Sequence, residues 1–357
     1  MSKQRIPYID FAAGIMILWM IIYHAIGRAL DLPLVGLWGI SDASLIPEGA
    51  KAFINAEGKL ERINVCVLFP YLSFFMPWFF YKSGQFFEKR PIKESLTKDA
   101  RKLLLTFVIW SAIGYVMFLL FGVLNHSLTL KGATYSIARG LFLTGKVPIN
   151  EPLWFLLTLF GVRFIANTIL PNRHSQYSWL SIMAIVIVGY VIAYLAYRFN
   201  HPLLPYWVAN GASGLAFFAL GYGLRNYEIK WWIVVPCILV YILCCFVGFP
   251  MVDMIFNKLL AGEYLLWIPV AFCGIVTFNA LCRFIYKHVR IRPIEIAGQN
   301  AMNIYVTHIL IVLTCTFLLE YFNLSQLYPY ATWILLASYV LFLPIFCYLL
   351  NRKAHVQ

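Results

Sequence analysis

Residues 90–124, RPIKESLTKDARKLLLTFVIWSAIGYVMFLLFGVL, change character at one point. Up to Lys102 the stretch is polar and carries Arg90, Lys93, Lys98, Arg101 and Lys102; from Leu103 to Leu124 it carries no charge. At roughly 1.5 Å of rise per residue, a helix of that length crosses the ~30 Å hydrocarbon layer of a bilayer. A basic strip at its start suits lipid headgroups on the cytoplasmic side. The stretch reads as a membrane span with a basic flank, and the rest of the chain can be read in the same terms.

Apolar runs of similar length recur near 7–27, 65–87, 103–124, 153–170, 179–197, 205–224, 231–249, 264–285, 300–319 and 332–350. The composition agrees: 62% of the 357 residues are hydrophobic and 12% are charged, where soluble domains carry about 25%. The expectation is an all-α, polytopic membrane protein, about ten helices in a single bundle spanning 1–357. Two longer external segments, about 28–63 and 125–152, cap it, and no soluble C-terminal domain is expected. The first run is too long for a secretory signal and is interrupted by Asp10, so it is read as a retained helix. The eight cysteines lie in or beside apolar runs without metal-ligand spacing and are read as small packing residues. No internal repeat points to an inverted-repeat transporter.

The net charge of +13 acquires meaning once it is sorted by loop. With the N-terminus inside, 17 basic residues fall on the cytoplasmic side, among them Lys3, Arg5, Lys98, Arg101, Arg225, Arg290 and Lys353. The external side holds 9 basic residues balanced by 9 acidic ones. Lys and Arg in short loops orient a membrane protein, so the sorting predicts both ends inside and requires no nucleic acid. Lys82 and Arg163 fall within spans near cytoplasmic ends, where snorkelling would bring their charges to the interface.

Ionisable side chains inside a bilayer are costly, which makes each one a candidate for function. Asp10, His24 and His308 are such residues. His24 follows Asp10 by 14 positions, so the two share a helix face to within roughly 40° while lying about 21 Å apart. An imidazole moves protons near neutral pH and serves as general base toward a hydroxyl. The alternatives stay open: His24 as a polar helix end at the external interface, His308 as a hydrogen-bonded packing residue. The strip KESLTKDARK, 93–102, either fixes topology by contacting headgroups or holds the phosphates of a cytoplasmic ligand. No serine-histidine-acid order, phosphate loop or metal-binding His/Glu pair stands at a usable spacing.

Taken in order, the segments resemble acyltransferase family 3, membrane proteins that O-acylate bacterial glycans. YIDFAAGIMILWMIIYH, with Asp10, Gly14 and His24, is similar to the family's opening helix, except that Ala13 stands where the family carries Arg or Lys. FFMPWFFYKSGQFF with Ser83 and Gly84, Lys98 and Arg101 three apart, and PLWFLLTLF with Trp154 and Phe155 resemble the next three helices. FALGYGL with Gly221, and GQNAMNIYVTHI with Gly298, Asn300, Tyr305 and His308, resemble later signatures.

The resemblance implies a membrane O-acetyltransferase, taking an acyl group from acetyl-CoA or another acyl-CoA in the cytoplasm to a hydroxyl of a surface, exported or lipid-linked glycan. His24 is then the base or acyl carrier, with Asp10 and His308 beside it in the catalytic set. Lys98, Arg101, the Ala13 position, Trp154 and Tyr305 belong to the donor site. No metal is expected, the setting is a bacterial inner membrane with lipid around the bundle, and self-association is left open. The readings from other classes are a secondary transporter of a small solute, a scaffold without chemistry, and a weakened or inactive family member, the last two favoured by Ala13.

Overall fold

The computed structural model describes residues 6–31, 74–124, 140–141, 145, 150–172, 178–199, 206–225, 227 and 229–322. In chain order these form α1 (Pro7–Asp31), α2 (Phe75–Gln85) and α3 (Ile92–Asp99), with a π-helical turn (Ala100–Leu104) leading into α4 (Leu105–Leu124). A 3₁₀ turn (Glu151–Leu153) opens α5 (Trp154–Ile169), and α6 (Ser178–Arg198), α7 (Tyr206–Leu224) and α8 (Trp231–Val247) follow. Strands β1 (Met251–Asp253) and β2 (Lys258–Ala261) precede α9 (Tyr264–His288), α10 (Arg292–Gln299) and α11 (Ala301–Tyr321). Helices thus occupy the expected spans up to 300–319, the second over its described part only. The expected span at 332–350 lies outside the described residues, as do most of the two expected external segments.

Four helical stretches among the described residues are long and apolar enough to cross a membrane: Ile92–Leu120, Glu151–Ile169, Ser178–Arg198 and Tyr264–His288. Shorter apolar helices are Pro7–Ile21, Trp231–Cys244 and Ala301–Ile311. Their outward faces are apolar. Val108, Val116 and Leu120 on α4, Leu180, Ile187 and Val188 on α6, and Leu239 and Leu243 on α8 are all exposed. Water would penalise so large an apolar surface, whereas lipid does not, and the protein is a membrane protein.

Two local features depart from plain helices. α3 is polar, begins after Pro91, and carries Glu94 in its first turn and Lys98 in its last, an arrangement suited to the helix dipole. The chain then passes through the π turn without a break into α4, so the polar strip is helical rather than a loop. The second departure is the antiparallel hairpin, with Val252 opposite Leu259 and Asp253 opposite Lys258, which corrects the all-helical expectation at this point. It follows Gly248, whose φ of 113° closes α8 in a conformation that favours glycine.

The chain forms two compact units. The first comprises Met1–Pro70 and Asn279–Gln357. In it α1 packs on α10 and α11, burying Phe11, Ala12, Ala13, Met16, Ile17 and Met20. The approach to α10 is backbone to backbone: a Cβ on Gly14 would overlap the Ile294 carbonyl, and one on Gly298 the Asp10 carbonyl. Helices in lipid associate through such small-residue contacts because no hydrophobic force drives them together.

The second unit is Tyr71–Phe278, organised around α7, which packs on α2, α5 and α6. Gly84 and Gly221 let α2 and α7 touch in the same way, each leaving its Cβ position to a backbone carbonyl of the other helix. Aromatic pairs fill the space beside this contact, with Phe87 on Phe218 at 5.1 Å and Phe80 on Phe155 at 4.8 Å between ring centroids.

Candidate active site

In the first unit α1 and α11 bring two histidines together. The rings of His24 and His308 stand 5.1 Å apart between centroids, tilted by 48°. His308 is fully buried, and its Nδ1 lies 2.7 Å from the Tyr305 carbonyl oxygen one turn earlier. A carbonyl only accepts, so Nδ1 carries the hydrogen and a neutral ring presents the lone pair of Nε2. Tyr305 is itself buried, its ring 6.1 Å from that of His308. Asn300 closes the turn between α10 and α11, its side-chain amide donating to the Ile296 carbonyl at 2.9 Å. The result is a paired imidazole site on helices that come from opposite ends of the chain.

Asp10 is not part of that pair. It belongs to the opposite end of α1, beside the Gly298 crossing. Close to that end Phe11 meets Tyr286 at 5.9 Å, Tyr286 donates to Glu295 at 3.3 Å, and the Arg290 guanidinium lies 5.5 Å from the Tyr286 ring. Ala13 is wholly buried, so a longer side chain there must displace its surroundings.

In the second unit the basic strip lies on α3 and the π turn. Lys98 and Arg101 are both exposed. They differ in their bonding, since the Lys98 ammonium donates to Glu94 at 2.7 Å, one helical turn back. Trp154 is buried at the start of α5, nine positions and about 13 Å of helix from Arg163, which touches the strip. The structure therefore groups Lys98 with Arg101 and leaves Trp154 at the other end of α5.

The sequence reading missed a network on this strip. Arg163 does not snorkel outward: its Nε lies 3.0 Å from Oδ1 of Asp99, with the two side chains 18% and 8% exposed. Its Nη1 donates to Ser83 Oγ at 3.3 Å, and its guanidinium lies 5.1 Å from the centre of the Phe87 ring. Asn167, one turn along α5, accepts from the Arg90 N–H at 3.0 Å and donates to the Arg90 carbonyl at 2.8 Å. Lys89 donates to the Leu170 carbonyl, and Arg225 to the Phe87 carbonyl at 2.9 Å. The signal for this network was present, because an arginine inside an apolar run invites a search for a buried acid, and Asp99 stands within the strip.

A mostly apolar helical membrane protein carrying two adjacent histidines, His308 buried and His24 partly so, and a separate basic strip is a setting for group transfer at a membrane. The family model described as an acyltransferase domain, Acyl_transf_3, matches residues 6–352, and the chain belongs to acyltransferase family 3. Neither the curated proteins nor the solved structures contain a match. Family membership supports a membrane acyltransferase and favours that class over a secondary transporter.

Proposed function

We propose that this acyltransferase moves an acetyl group from cytoplasmic acetyl-CoA to a hydroxyl of a surface or exported glycan. In this reading the chain crosses a bacterial inner membrane ten times with both ends inside. The observation that carries it is the His24–His308 pair, two imidazoles in contact within a chain of this family.

His24 takes the proton of the acceptor hydroxyl, and the oxygen attacks the thioester carbonyl. The carbon–sulfur bond breaks, and the coenzyme A thiolate leaves with the proton returned by the imidazolium. His308 has its hydrogen committed to the Tyr305 carbonyl, which leaves Nε2 to accept a hydrogen and steady one form of its neighbour. Lys98, Arg101 and Lys102 give the donor phosphates a cationic surface, Arg101 most directly because Lys98 already serves Glu94.

One observation favours a second reading. At the family's basic position this chain has a fully buried alanine, and Ala13 fits a weakened or inactive member. Incubating the purified protein in lipid with acetyl-CoA and following free thiol separates the two. Release of thiol that depends on a glycan acceptor supports the transferase. Absence of release with acetyl-CoA, together with absence of acetyl-CoA binding, supports the inactive form.

A further inference from the structure

The ion pair between Arg163 and Asp99 stands where α3 becomes the π turn. Asp99 is the last residue of α3, and its second carboxylate oxygen accepts from Ser95 Oγ at 3.5 Å. Ser95 and Asp99 are both buried, so they form the inner edge of α3 against α5. The other end of α3 is fixed as well, because Asn167 holds Arg90 through both its backbone N–H and its carbonyl. α5 thus clamps the polar helix in front and behind. Ser83, which receives the far arm of Arg163, sits beside Gly84, where α2 meets α7 backbone to backbone. The clamp is anchored to one of the most closely packed points of the second unit.

A buried ion pair is a poor source of stability, since the cost of removing two charges from water offsets most of their attraction. Its better-attested use is to fix one arrangement among several. The π turn that follows inserts an extra residue, which turns the next side chains by about 100° relative to an unbroken helix. Lys98 precedes Asp99 by one position and Arg101 follows it by two, and both reach outward while Asp99 points in. The orientation of the two exposed cations is therefore set by where Asp99 is held.

We infer that Arg163 is a positioning residue for the acyl donor: through Asp99 and Ser83 it holds α3 and the π turn so that Lys98 and Arg101 present a fixed pair of cations. The inference rests on the reading of those cations as the donor's phosphate site. Arg163 does not itself touch the donor. Its fork bonds Asp99 and Ser83 in different directions, which a lysine cannot reproduce with one ammonium.

The test uses the full chain in lipid bilayers, with acetyl-CoA as the probe. Arg163→Gln, Arg163→Lys, the nearly isosteric Asp99→Asn and the reciprocal Asp99→Arg with Arg163→Asp are compared for KM, kcat and hydrogen exchange over residues 92–104. Arg163→Gln is expected to raise KM for acetyl-CoA by about tenfold with kcat nearly unchanged, and to speed exchange over 92–104. Arg163→Lys should recover part of the loss, and the reciprocal pair should recover exchange protection. If Arg163→Gln does not assemble, Asp99→Asn carries the same expectation. A variant that inserts normally, exchanges faster and keeps the native KM overturns the positioning role, as does one with native exchange. A native chain that neither binds nor turns over acetyl-CoA removes the donor reading itself. Native turnover with KM untouched in Arg163→Gln and Asp99→Asn removes only Arg163.

Discussion

His24→Ala is expected to lower acyl transfer by about 10²–10⁴-fold while membrane insertion stays normal, because the imidazole that takes the acceptor proton is lost. Turnover and expression measured side by side decide it, and loss of expression would instead assign His24 to packing. For His308 the hydrogen bond to Tyr305 allows a finer comparison. Asn offers a donor near the Nδ1 position but nothing at Nε2, whereas Gln reaches the Nε2 position. His308→Gln should therefore retain more turnover than His308→Asn, and equal loss in both would point to volume alone. Arg101 and Lys98 also separate. Arg101→Gln should raise KM for acetyl-CoA by roughly 10- to 100-fold, as loss of a charge-assisted hydrogen bond implies, with a smaller rise for Lys98→Gln. Ala13→Arg is expected to increase acetyl-CoA affinity at some cost in folding, since the position is fully buried. Unchanged affinity in a well-folded variant would mean that the family's basic residue has no role left to fill here.

The two histidines were legible in the sequence because an ionisable group in an apolar run is rare, yet their contact was not. Helical periodicity gives the face on which a residue sits and is silent about which distant helix covers it. Arg163 shows the same limit from the other side: it was read as snorkelling because its partner, Asp99, stands on a different helix, in a basic strip assigned to headgroups or phosphates. At the scale of elements, span positions were legible because membrane thickness fixes the length of an apolar run. The π turn and the hairpin were not, since one depends on an inserted residue and the other on seven residues, MVD and KLLA, too short for a period to register. The glycine contacts carry a prediction of their own. Gly14→Ala or Gly298→Ala would drive a methyl into the backbone of the opposing helix and should cost about 1–3 kcal/mol of stability in detergent unfolding, like other overpacked sites. Little change would mean that α1 and α10 separate easily and that the crossing does not hold the histidine helix.

For the whole molecule, the excess of Lys and Arg on one side supports a cytoplasmic C-terminus, so a reporter fused after Gln357 should behave as cytoplasmic. An external reporter would change the span count by one and with it the side from which the donor arrives. Acyl transfer from coenzyme A to a hydroxyl through His24 is the proposed activity. Its most direct test is a single-turnover measurement on purified protein in lipid, with acetyl-labelled acetyl-CoA and a glycan acceptor, the native chain beside His24→Ala. Label is expected in ester linkage on the glycan, with matching release of coenzyme A thiol, from the native chain and not from His24→Ala. Equal transfer of label by both proteins would contradict it.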